Sequence, residues 1–119
     1  MFDLQKIQDH MRAEGLGAWL VYDFRGSNPV FWQLLRERRQ TTRRVFLVIP
    51  ATGVPRLIGS MVEPEALAGL GVDIILYASW VQMETLLRDA VAGHARVAME
   101  YSPGGALPIM SWVDGGTLE

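Results

Sequence analysis

Apolar residues recur along this chain in two rhythms, and each predicts a different element. Leu4, Ile7 and Met11 fall at helical spacing behind Asp3, whose short carboxylate suits an N-cap, and Gly15 offers the left-handed residue that ends such a helix. Unbroken apolar runs read instead as strands covered on both faces, 18–22 (AWLVY), closed by Asp23, and 45–49 (VFLVI); a buried strand is expected at 73–77, and 96–101 (RVAMEY) is the last strand. The turn at 50–53 sends the chain back through 54–59 as an antiparallel hairpin, with Pro55 placing that return strand at a sheet edge. Short helices are expected over 30–35 and 64–70. The clearest helix is 80–92, where Ser79 and Gln82 form a capping box, Met83, Leu86, Leu87, Ala90 and Val91 make the apolar stripe, and Gly93 stops it.

The order α-β-α-β-β-α-β-α-β, with strands too apolar to face water, predicts one α/β domain over 1–119: a mixed β-sheet flanked by helices on both sides. The 18 residues from Ser102 to Glu119 carry Pro- and Gly-rich turns, and Thr117 reads as a helix cap with only Leu118 and Glu119 after it. A cap so close to the end leads us to expect a longer parent chain.

Composition narrows the function classes. With 119 residues, half of them hydrophobic, a fifth charged and four of them Trp, the chain builds one core. A formal net charge of -2 gives no general attraction to nucleic acid or anionic membranes. Cysteine is absent, which removes disulfides, thiolate nucleophiles and Cys-based zinc sites. The opening MFDLQKIQDHM lacks the basic and apolar regions of a signal peptide, and no apolar run approaches the ~18 residues of a membrane span. A soluble cytoplasmic protein is expected.

Candidate chemistry is sparse. His10 and His94 stand in no metal-ligand spacing and read as surface residues. Asp23, Asp73 and Glu100 lie at strand ends, where carboxylates can gather two metals as in nucleases, although solvated strand-end acids are the commoner case. No G-x-S-x-G elbow, Walker A loop or G-x-G-x-x-G is present. Arg36, Arg38, Arg39, Arg43 and Arg44 can meet phosphate or a partner's carboxylates, against the plainer reading of a solvated loop. The loop FRGSNP at 24–29 directly follows the first strand, and its Arg25 can grip a carboxylate bidentately; equally, Gly26, Asn28 and Pro29 can merely turn the chain.

Taken in order, AWLVYDFRGSNP, VFLVIPATGVPRLIG and above all VAMEYSPGGALPIMSWVDGGTLE resemble the N-terminal domain of the creatinase, aminopeptidase P and prolidase family of Xaa-Pro peptidases. The resemblance covers essentially the whole chain and rests on the order of its segments, since no single motif is diagnostic. It implies a ribonuclease H-like sheet joined, in the parent protein, to a C-terminal pita-bread domain holding two divalent metals, commonly manganese, on two Asp, one His and two Glu. None of those ligands can be placed on this chain. In the family such a domain makes oligomer contacts and narrows the active-site entrance for short proline-containing peptides. The resemblance therefore implies a non-catalytic role, with Arg25 as a contact to a peptide end or a neighbouring subunit and Tyr22 and Trp32 as lesser candidates.

Creatinase-like or non-peptidase relatives share this architecture. From other classes, a freestanding interaction module using the exposed aromatics and the Arg cluster, and a small nuclease using Asp23 and Glu100, remain as alternatives.

Overall fold

The structure is a computed structural model that describes residues 3–100. The expected features of the closing stretch, including the Gly104-Gly105 and Gly115-Gly116 turns and the Thr117 cap, lie outside the described residues.

Helix α1, Leu4–Ala13, starts where Asp3 accepts a hydrogen bond from the Lys6 N–H at 3.2 Å, and Gly15 follows it in the left-handed region at φ 72°. Strand β1, Ala18–Phe24, runs two residues past the expected stop, because Asp23 stays within the ladder. After it come α2 (Pro29–Leu35), β2 (Arg44–Pro50), β3 (Arg56–Ser60), β4 (Asp73–Tyr77), α3 (Trp80–Val91) and β5 (Val97–Glu100). The five strands stand in the order β4-β3-β2-β1-β5, and β2 alone runs against the others. This is the mixed sheet expected of the sequence: an antiparallel meander of β1, β2 and β3, with β5 parallel beside β1 and β4 parallel beside β3.

Alternation along the strands divides the core between two faces. Leu20, Tyr22, Phe46, Val48 and Ile58 point to the side that Leu87 and Val91 of α3 cover. Val21, Val45, Leu47, Ile49 and Leu57 point to the side covered by Met11 of α1 and by Phe31, Trp32 and Leu35 of α2. With both faces roofed, the strands become the uninterrupted apolar runs seen in the sequence.

Two expectations are corrected. Strand β3 is interior, paired with both β2 and β4, and Pro55 does not mark an edge. The proline immediately precedes the strand, so its missing N–H costs the ladder nothing. The helix expected over 64–70 is a single 3-10 turn, Pro64–Ala66, because Gly69 and Gly71 adopt left-handed φ values of 77° and 79° that a helix cannot continue through. Leu67 and Leu70 still bury themselves against the sheet.

The hairpin between β2 and β3 is fixed from outside. Gln8 of α1 is buried, and its amide nitrogen donates to the carbonyls of Pro50 (2.8 Å) and Gly53 (2.9 Å), which uses both its hydrogens. At α3 the capping box forms with a one-residue shift. Ser79 Oγ accepts from the Gln82 N–H at 3.2 Å, while the Gln82 side chain accepts from the N–H of Ala78 at 2.6 Å.

Candidate functional site

Because β1, β3 and β4 point the same way, their carboxyl ends and the start of β2 come together at one end of the sheet. The loop after β1 stands there, and Asp23 organises it. Fully buried, Asp23 accepts the Gly26 N–H on Oδ2 (2.8 Å) and the Asn28 N–H on Oδ1 (2.7 Å). Asn28, also buried, accepts the Val30 N–H at 3.1 Å as N-cap of α2 and donates its amide to the Tyr22 carbonyl at 2.7 Å. The Ser27 N–H and Oγ both donate to the Phe24 carbonyl, at 3.2 and 2.7 Å.

Those bonds close a turn whose central residues, Arg25 (φ 58°) and Gly26 (φ 76°), are both left-handed, as in the primed turns of tight hairpins. Glycine takes that conformation freely, but an arginine there carries roughly 1–2 kcal/mol of strain. Asp23 and Asn28 over-determine the loop, and the strained arginine is held at its tip, exposed.

Beside the loop lies a cleft of about 350 Å³, lined among others by Phe24, Arg25, Arg43, Arg44, Tyr77 and Trp80. The Phe24 ring has the Arg25 guanidinium 5.2 Å and the Arg44 guanidinium 5.4 Å from its centre, within cation–π range. Tyr77 donates its hydroxyl to the Arg44 carbonyl at 2.6 Å, which fixes the start of β2 against the end of β4. Burial raises the hydroxyl pKa of both Tyr22 and Tyr77, and the nearby positive charge of Arg44 offsets part of that rise.

A tyrosine whose pKa is raised by folding contributes stability that is complete below the ordinary value of about 10 and is lost as pH climbs through the folded values. We therefore expect the melting temperature to fall with steepening slope above about pH 10, and the Tyr22→Phe/Tyr77→Phe double variant to lose part of that slope. Circular-dichroism melts between neutral and strongly alkaline pH check this; parallel curves for the two proteins would contradict it.

The residues singled out from the sequence divide. Arg25 is exposed at the loop tip, whereas Tyr22 packs among the α3-side core, 5.1 Å from the Phe46 ring. Trp32 lies on the opposite face, edge-on to Phe31 at 4.8 Å, so the structure does not bring Tyr22 and Trp32 together. Asp73 begins β4 at the far end of the sheet from Asp23, and among the described residues no group of three or more His, Cys, Asp or Glu is placed to hold a metal ion. His10 is exposed beside an apolar groove that includes Ile7, Met11 and Trp19; His94 is half-buried, packed over Gly17.

The arginine cluster also separates. Arg39 pairs with Glu37 and donates to the Ala66 carbonyl, and Arg38 donates to the Gly26 carbonyl at 3.1 Å, while Arg43 and Arg44 line the cleft. Sequence reasoning missed the last two as members of one site with Arg25 and Trp80. The signal was Trp80 itself, which follows the Ser79 cap and lies off the apolar stripe of its helix.

No protein-family model and no curated protein sequence matches the chain. Solved structures do. A proline dipeptidase from Streptococcus pneumoniae is 24% identical with a TM-score of 0.65, over 84% of this chain and 74% of that one. The creatinase/prolidase N-terminal domain of an X-Pro dipeptidase from Streptococcus pyogenes is 17% identical with a TM-score of 0.59, over 82% and 75%. A dipeptidase from Mycobacterium ulcerans is 20% identical with a TM-score of 0.69, over 97% of this chain but only 32% of its own. The chain thus has the fold of the creatinase/prolidase N-terminal domain, and it spans about a third of that mycobacterial enzyme.

Proposed function

We propose that this chain is the non-catalytic N-terminal domain of a proline-specific metallopeptidase, an Xaa-Pro dipeptidase or aminopeptidase, working beside a C-terminal catalytic domain of the same protein. The observation that carries the reading is the fold shared with N-terminal domains of dipeptidases. The two divalent metals of such an enzyme do not fit the described residues: both oxygens of Asp23 are taken by backbone N–H groups, and Asp73 lies at the other end of the sheet. The metals, which we take to be manganese, belong in this reading to the catalytic domain. A cytoplasmic homo-oligomer acting on short proline-containing peptides completes the proposal.

The domain's part is to add oligomer contacts and to narrow the way into the active site. Arg25 supports that role by its position: a rigid loop, strained at its tip, holds out a guanidinium suited to a peptide carboxylate or to an acid of the neighbouring subunit. Tyr22 and Trp32, the lesser contact candidates of the sequence, are buried at 6% and 4% exposure, which leaves them in this reading to support the sheet end and α2 under the loop rather than to touch a peptide or subunit.

In the complete enzyme, Arg25→Ala is expected to raise KM for an Xaa-Pro substrate, or weaken the oligomer, by about 10- to 100-fold, the worth of a charge-assisted hydrogen bond. Steady-state kinetics and sedimentation read both effects. Unchanged KM, kcat and oligomeric state would remove Arg25 from the account.

A further inference from the structure

Of the large hydrophobic side chains that stand well exposed, Met61 (57%), Val62 (64%), Trp80 (68%) and Val81 (57%) all follow the carboxyl ends of β3 and β4. Val62 and Trp80 line the same cleft as Arg25, Arg43 and Arg44. A tryptophan two-thirds exposed beside three guanidinium groups is an unusual surface for a chain whose formal net charge is -2.

The local charge is not balanced from within. Among the described residues, none of the three arginines makes an ion pair. The neighbouring acids already have partners: Asp23 accepts the Gly26 and Asn28 N–H groups, Glu63 accepts the N–H (2.9 Å) and the hydroxyl (2.5 Å) of cleft-lining Thr42, and Glu84 pairs with Arg88 at 3.1 Å. Arg25 and Arg44 instead share the Phe24 ring, two like charges on one aromatic, an arrangement that an arriving carboxylate would relieve.

We infer that this cleft docks an acidic segment of another polypeptide, its carboxylates on Arg43 and Arg44 and an apolar side chain against Trp80 and Met83. Charge complementarity selects the partner's sign, and the exposed tryptophan supplies the kind of anchor that dominates interface energetics. The inference concerns a face wider than the Arg25 loop and does not depend on the peptidase reading.

The test uses the 119-residue chain and an end-blocked, fluorescein-labelled peptide with glutamates on both sides of a central Leu-Trp pair, followed by anisotropy and by amide chemical-shift mapping. Micromolar binding that weakens with added salt is expected, with shifts centred on residues 24–25, 43–44 and 78–83. Arg43→Gln/Arg44→Gln and Trp80→Ala are each expected to weaken binding about tenfold or more. All three positions are exposed, so the variants should stay folded, which melting curves check.

Failure of the peptide to bind would overturn the inference. So would equal binding of a control with Gln for every Glu, which would mean apolar adhesion alone. Full competition by N-acetyl-leucine would overturn it as well, by making the cleft a site for a small carboxylate. Because the readout is binding, none of these results bears on whether the complete protein cleaves Xaa-Pro peptides.

Discussion

Replacing Asp23 by alanine is expected to cost about 3 kcal/mol of folding stability, since it strands two backbone N–H groups at roughly 1–3 kcal/mol each. The side chain is wholly buried, and its two oxygens accept from Gly26 and Asn28 at 2.8 and 2.7 Å. In a domain of this size such a loss lowers the melting temperature by roughly 15 °C. Asp23→Asn keeps one acceptor and should lose about half as much. A carboxylate kept for metal binding predicts another outcome, namely unchanged or improved stability with loss of a metal-dependent signal. Urea denaturation of the three proteins, with and without manganese, separates the two roles.

The same substitution tests how the loop is built. Arg25 holds a left-handed backbone only because its neighbours are pinned, so without Asp23 the 24–28 turn should relax. Functional loss from Asp23→Ala would then come through Arg25 and not through chemistry at residue 23. Asp23 is a positioning residue.

Much of this architecture was legible in the sequence because its signals are local. The apolar runs at 18–22 and 45–49 became fully roofed strands, and Asp3 and Ser79 cap the helices they precede. Most of what escaped depends on partners distant in the chain. Pro55 looked like an edge marker because the sequence does not show that β4 returns to lie beside β3. Asp23 was read as a strand stop or metal ligand, although Asp followed by Gly and Asn at +3 and +5 is the spacing that lets one carboxylate gather a turn's N–H groups. Trp80 lies 36 positions beyond Arg44 and 37 beyond Arg43 along the chain, and it meets them only because β2 and α3 begin at the same end of the sheet.

The site resists sequence reading for a second reason. In the proposed reading its chemistry is recognition rather than bond breaking, and recognition by arginines and an exposed tryptophan needs no fixed spacing.

The account is tested most directly by expressing the complete natural protein alongside the 119-residue chain and assaying both on an Xaa-Pro dipeptide and a longer X-Pro peptide with manganese. Hydrolysis by the complete protein and none by the chain is the predicted result, with the preferred substrate separating dipeptidase from aminopeptidase. Hydrolysis by the chain alone, or a complete protein inert toward both peptides, would contradict it.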